Sequence, residues 1–405
     1  MAMKEKSFLA LLLIGIVLFG LFLYFRTPNG PEEKSEIPGY SVDEMYAHHS
    51  FEREFGKFSF WDIVSKKDVE TLRSQVGDGN GSKFEETFYG TGIYTWPLYS
   101  SYAWNSIWNN VSCPKNMTSK EFNALIQNVT PRYGKLRERQ EYYLITFKKL
   151  EGEITEPRAY AFLAWLELLL VDNHDLDYDE YAREYGFSED VCKSLLGLPE
   201  YYENYVFPYV DRGIEQVIKL NLESPGGKAL SEKAHKIIQN RESKLFSELV
   251  LINNTKQGSL EVYGAYGLTY YSLSKNLSAQ GFNSLALFYF SWAEGYYNIS
   301  KDDVANVPMR LDYPFNVSKI RDMVYSETNN LLNQLHRDNI YTLDPLISQV
   351  VLYHIARVDY TVLPKLQDRN SELYFLYPSE VYTEYLRILA KIRGVETFYE
   401  YLVDP

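Results

Sequence analysis

Thr118 to Leu150 reads TSKEFNALIQNVTPRYGKLRERQEYYLITFKKL, and its opening decides the fold class. Thr118-Ser119-Lys120-Glu121 is a capping box: the Thr118 hydroxyl can accept an N–H of the first helical turn while the Glu121 carboxylate reaches back to the Thr118 N–H. Pro131 is expected to end that helix, because proline has no N–H and crowds the preceding turn. Arg132 to Leu150 then reads as a separate charged amphipathic segment.

Further helices follow toward the C-terminus. Pro157 stands in a first turn leading to Leu170. Asp177 with Glu180 caps a short helix ending at Gly186, and Ser188 starts another ending at Gly197. Asp344-Pro345 is a cap with proline at the first helical position. Behind it Leu346, Ile347, Val350, Val351, His354, Ile355 and Val358 fall on one stripe. Roughly a dozen helices and no run of alternating strands predict an all-α body. A body of this length exceeds one ordinary core, so stacked helical hairpins, α-solenoid-like, or a two-lobed array are expected. Ser224-Pro225-Gly226-Gly227 marks the boundary between a lobe at 41–224 and a lobe at 225–405.

Within the second lobe, Gly267, Tyr270, Ala279 and Ala286 stand at the mutual spacing of the small and aromatic positions of a tetratricopeptide unit, so 260–299 resembles a helical-hairpin repeat. The resemblance implies two antiparallel helices brought close by those small residues. The motif's second aromatic position holds Asn283, with Phe282 beside it, and no second copy follows at a ~34-residue period. Four Tyr-Tyr pairs, beginning at Tyr142, Tyr201, Tyr270 and Tyr296, are irregularly spaced.

Toward the N-terminus, Ser41-Val42-Asp43-Glu44 is a capping box, and Ser65-Lys66-Lys67-Asp68 starts a helix leading to Gly77. Between them and Thr118 lies an aromatic-rich insert, 77–113, poor in helical periodicity. Gly77-Asp78-Gly79-Asn80-Gly81-Ser82-Lys83 reads as a turn, not a phosphate loop, because Ser and Lys are in the wrong order and no apolar strand leads in. Trp96, Tyr99, Tyr102, Trp104 and Trp108 form the densest aromatic patch, either a lid on the helical core or a stacking platform for a sugar ring or partner.

Ser7 to Phe25 holds nineteen residues without charge or proline, flanked by Lys6 and Arg26. As a helix it covers roughly 28 Å, close to the hydrocarbon thickness of a bilayer. It ends in Leu23-Tyr24-Phe25 with no small-x-small site, so a retained anchor is expected and not a cleaved signal. Residues 1–6 form a short cytoplasmic tail and 26–40, with Pro28, Gly30, Pro31, Pro38 and Gly39, a linker. Asn-x-Ser/Thr occurs at Asn80, Asn110, Asn116, Asn128, Asn253, Asn276, Asn298 and Asn316, all beyond the span, against a chance expectation of roughly three. The excess places the body outside the cell membrane as a glycoprotein. Cys113 and Cys192 can form one disulfide there or stay as two free buried thiols.

A net charge of −13 excludes a nucleic-acid surface, which needs clustered Lys and Arg. His48 and Glu52 share a helix face without further ligands and read as a solvated face. Asp172, Asp175, Asp177 and Asp179 lack the Gly and Glu of a calcium loop, so no metal is expected. His354, on an apolar stripe, reads as a core histidine. No Gly-x-Ser-x-Gly, His-Glu-x-x-His, Cys-x-x-Cys or phosphate loop occurs, and no cofactor is expected. The expected function is therefore a membrane-anchored, outward-facing glycoprotein whose helical body is an interaction or envelope scaffold, its partners other envelope or surface proteins. The alternative is an extracytoplasmic carbohydrate- or peptide-binding protein or hydrolase with the Trp96–Trp108 patch lining a cleft.

Overall fold

The structure, a computed structural model, describes residues 64, 67–68, 71–72, 74, 96–171, 188–223, 227–254, 259–301, 317–338 and 377–403. The helices are α1 Trp96–Asn110, α2 Ser119–Glu151, α3 Pro157–Leu170, α4 Glu189–Tyr201, α5 Phe207–Glu223, α6 Leu230–Asn253, α7 Ser259–Gln280, α8 Asn283–Ile299, α9 Val317–Arg337 and α10 Tyr377–Val403. Among the described residues there is no strand, only one antiparallel bridge pairing Asn116 with Ser188. The body is all-α. No described helix is long and apolar enough to cross a membrane, and the anchor expected at Ser7–Phe25 lies outside the described residues. So do the tail, the linker, the helix expected at Ser41, the Gly77–Lys83 turn, the Asp172–Gly186 segment and the Asp344–Val358 stripe.

The capping box forms as read: Glu121 N–H donates to Thr118 Oγ1 at 3.3 Å and Thr118 N–H to Glu121 Oε2 at 2.8 Å. Pro131, however, does not end the helix, which continues to Glu151. Pro131 and Gln127, whose carbonyl loses its partner, both face solvent, so water can take the freed acceptor. Meanwhile Phe122, Val129, Tyr133, Leu136, Gln140, Tyr143, Phe147 and Leu150 keep one buried stripe on both sides of the proline. The same correction applies at Gly197. Ser188 caps α4, accepting from Val191 N–H, but the helix runs past Gly197 and through Pro199. Leu195 O, left without a proline N–H, accepts the Tyr133 hydroxyl at 3.3 Å instead. A π turn, Tyr202–Val206, then joins α4 to α5, with Phe207 N–H reaching back five residues to Tyr202 O.

A third correction falls on the insert expected at 77–113, whose residues 96–110 form α1. Its buried positions, Trp96, Tyr99, Tyr102, Ala103, Ser106 and Ile107, follow the helical period once half-polar Tyr and small Ser count as interior residues.

Two helices form the centre. Nearly every position of α3 from Ala159 to Leu170 is buried, and α8 is buried from Ser284 to Ala293, so both are apolar nearly all round. Around them one hydrophobic core takes residues from Val64 through Leu402. Helices α7 and α8 form the antiparallel pair that the repeat resemblance implies, turning at Gly281, whose φ of +89° suits glycine. The small residues act differently from the expectation. A Cβ at Gly267 would lie 2.4 Å from Leu249 Cδ2, and one at Gly264 2.5 Å from Asn253 N, so both glycines admit α6 and not α8. Ala279 is exposed.

The start of α8 is unusual. Its N-cap residue, Phe282, has no side chain able to accept. Two glutamates from elsewhere replace it: Glu151 Oε1 accepts Ser284 N–H at 2.5 Å and Glu167 Oε2 accepts Leu285 N–H at 3.1 Å. The loop behind Glu151 is held by Asn221, whose Oδ1 accepts Thr155 and Glu156 N–H and whose Nδ2 donates to Glu153 O. Leu230 N–H donates to Ile154 O in the same loop, at 2.9 Å.

Candidate functional site

The five aromatic residues singled out from the sequence sit on α1 and pack against α4, the π turn and α5. The Trp96 ring lies 4.4 Å from Tyr209 and 5.8 Å from Tyr99, which meets Tyr205 edge-on at 5.9 Å. Trp96, Tyr99 and Tyr102 are buried, and burial pushes the Tyr99 hydroxyl well above the usual tyrosine range. Trp104 and Trp108, 5.8 Å apart, are half-buried; Trp104 meets Tyr201 edge-on, and Lys193 Nζ stands 5.4 Å from the centre of Trp108. Three of the five rings are therefore interior packing, and Trp104 with Trp108 are the part nearest solvent.

Cys113 and Cys192 are joined, their sulfurs 2.06 Å apart, fastening the segment after α1 to the first turn of α4 beside Met117, Phe122, Val191 and Leu195. Of the sequon asparagines, Asn110, Asn116, Asn128, Asn276 and Asn298 are exposed and Asn253 is half-buried. Asn80 and Asn316 lie outside the described residues.

A second aromatic face, which the sequence reading passed over, lies where α7, α8 and α10 meet. Tyr263, Tyr266 and Tyr270 share one side of α7; Tyr289, Trp292 and Tyr296 share one side of α8. Tyr296 stacks on Tyr270 at 5.5 Å, on Tyr266 at 5.8 Å and on Tyr263 at 6.4 Å. Tyr270 also stacks on Tyr289 at 5.7 Å and meets Trp292 edge-on at 5.0 Å. From α10 come Glu384, Arg387 and Lys391, spaced to share a face. The Arg387 guanidinium lies 4.4 Å from the Tyr266 ring centre, hydrogen-bonds its hydroxyl and pairs with Glu384. Lys391 Nζ stands 5.2 Å from the Trp292 ring, and burial, with Arg387 adding to it and Glu384 opposing, holds its ammonium down at about 8.

What this face offers is donors. Tyr263 OH, Ser274 Oγ, Trp292 Nε1 and Arg387 Nε are buried without a hydrogen-bond partner, and all four can donate. Planar rings, unmatched donors and two cations suit a group rich in acceptor oxygens, such as a sugar or a carboxylate. The signal was present in the sequence as Tyr at i, i+3 and i+7 on one helix, but only folding brings α10 against it.

Farther along α8, Glu294 Oε1 accepts from Arg241 at 2.9 Å and its Oε2 accepts the Tyr401 hydroxyl at 2.5 Å. Burial, opposed by Arg241, pushes its carboxyl up to about 7. Arg393 grips Glu327 with two bonds, at 3.0 and 2.8 Å, tying α10 to α9. No group of three or more His, Cys, Asp or Glu able to hold a metal ion occurs among the described residues. No protein-family model, curated protein or solved structure matches this chain.

Proposed function

We propose that the chain is a surface glycoprotein, anchored by Ser7–Phe25, whose helical body serves as a docking scaffold for other envelope or surface proteins. The supporting observation is the distribution of apolar and polar groups. Interior carboxylates and hydroxyls close helix ends and link helices, whereas the outer faces carry apolar pairs one helical turn apart. Tyr142 and Ile145 on α2 are 63% and 64% exposed, and Ile218 and Leu222 on α5 are 45% and 69% exposed. Such pairs suit contact with another protein. The asparagines at 110, 116, 128, 276 and 298 are exposed and can carry glycans. The test is glycopeptide mapping of the native protein recovered from fractionated cells. The expected result is a membrane-fraction protein with glycan on several of those asparagines; a soluble protein with all of them bare contradicts the reading.

A second reading rests on the unmatched donors of the tyrosine-lined face, which favour a carbohydrate- or peptide-carboxylate-binding role. Titrating the body with maltose and with acetate while following tryptophan emission separates the two. A saturable change lost in Lys391→Met supports binding, and no change with either compound removes this reading.

A further inference from the structure

The two glutamates at the start of α8 present more chemistry than a helix cap requires. Glu151 is 2% exposed and Glu167 0%. Both are held at one turn by consecutive N–H groups, and Ser284 Oγ–H additionally donates to Glu167 Oε2 at 2.7 Å. The four carboxyl oxygens are served unequally. Glu151 Oε1 takes the Ser284 N–H, its Oε2 takes the Tyr160 hydroxyl at 3.0 Å, and Ser231 also reaches this carboxyl. Glu167 Oε2 takes two donors, while Oε1 receives none from the protein.

The Ser231 donor is fixed by a chain of bonds running in from the surface. Gln239 Nε2–H donates to His235 Nε2 at 2.8 Å, which leaves His235 Nδ1–H for Ser278 Oγ at 3.2 Å. Ser278 then donates to Asn283 Oδ1 at 3.0 Å, and Asn283 Nδ2–H to Ser231 Oγ at 2.8 Å. The Ser231 proton then remains for Glu151 or for the Tyr160 hydroxyl, which itself donates to Glu151.

We infer that Glu151 and Glu167 form a buried proton-binding site in which one proton, carried on Glu167 Oε1, is shared with the ionised Glu151. The two carboxyl groups are buried side by side on the consecutive Ser284 and Leu285 N–H groups with no cation among their hydrogen-bond partners, and two like charges in one dry site repel, so one of them holds a proton. Glu151, with a donor on each oxygen, is the better-stabilised anion; Glu167, with a bare oxygen, is the natural carrier. Burial is the largest influence raising both carboxyls, and no lysine or arginine is among the main influences on either. The groups facing the pair are Tyr160 from α3, Ser231 and, through the chain, His235 from α6, Ser278 from α7, and Asn283 and Ser284 from α8. Lys148, on the same helix as Glu151, lies over the Phe282 ring at 4.9 Å from its centre.

The consequence is a proton bound on folding. An unfolded glutamate releases its proton near pH 4.3, roughly, while the folded pair keeps one at higher pH. One extra proton in the folded state makes the unfolding constant rise about tenfold for each pH unit between about 5 and 7. The test is urea unfolding of the wild type and Glu167→Gln across that range. The glutamine amide replaces the shared proton as donor to Glu151 and keeps a carbonyl for Ser284 and Leu285. The expected result is a variant whose unfolding constant rises about tenfold less per pH unit than that of the wild type; equal slopes overturn the inference. If the variant does not fold, infrared spectroscopy at about pH 6 of Glu294→Gln, which lacks the other carboxyl raised to about 7, gives the same decision. A protonated-carboxyl C=O band that resists hydrogen exchange supports the shared proton, and its absence overturns it.

Discussion

Replacing Trp165 with alanine is expected to cost about 3–5 kcal/mol, the range for deleting a fully buried aromatic side chain. Trp165 lies at the middle of α3 with 0% exposure, and its indole N–H donates to the Tyr209 hydroxyl at 3.1 Å. Because α3 is buried nearly all round, its neighbours on α5 and α8 have little freedom to close the cavity. The donor to Tyr209 disappears with the ring. Urea unfolding followed by circular dichroism measures the loss. A change below about 1 kcal/mol would mean that α3 is not the packed centre described above.

Gly295→Val is the second large effect, expected at about 3 kcal/mol and arising from crowding instead of a cavity. A Cβ at Gly295 would fall 2.1 Å from Ala390 O and 2.8 Å from Gly394 N, both backbone atoms that cannot rotate away. Across the same crossing, a Cβ at Gly394 would meet Trp292 Cα at 2.9 Å. The two glycines thus let α8 and α10 touch backbone to backbone, and any side chain must push the helices apart. Gly134, in the exposed part of α2, supplies the control, since a Cβ there meets nothing within 4 Å. Gly134→Ala is expected to gain about 0.5–1 kcal/mol from helix propensity. Thermal unfolding of the two variants should therefore shift in opposite directions. Similar shifts would show that the close crossing is absent in solution.

Local chemistry was the legible part of the sequence. Thr118 and Glu121 announced the start of α2, Ser188 that of α4 and Pro157 that of α3, because a cap is settled by four or five adjacent residues. Helix ends were less legible wherever tertiary packing overrode a local breaker. Pro131 lies on a solvent face, and the Leu195 carbonyl freed by Pro199 is taken by Tyr133, 62 residues earlier. Helix α1 was hidden because tyrosine and serine serve as interior residues there. The buried carboxyl pair could not be read at all. Glu151 and Glu167 are two of 54 acidic residues, and the backbone they cap begins more than a hundred residues later. The tyrosine-lined face was half legible, its period written on α7 and α8 while its cations wait on α10.

The carboxyl pair and Glu294 share one property: burial raises the proton affinity of the carboxyl in the fold. Glu151, Glu167 and Glu294 all have raised folded-state values, with Glu294 at about 7. A carboxyl raised on folding contributes stability that is fully present below its unfolded value and lost as pH rises through the folded one. The most direct test is the thermal midpoint of the wild-type body, measured at fixed ionic strength from about pH 5 to about pH 8. The expected result is a midpoint highest at the acidic end and falling through about pH 7. A midpoint that rises across that range would mean these carboxylates are ionised inside the fold, and would contradict the account of how its interior is held together.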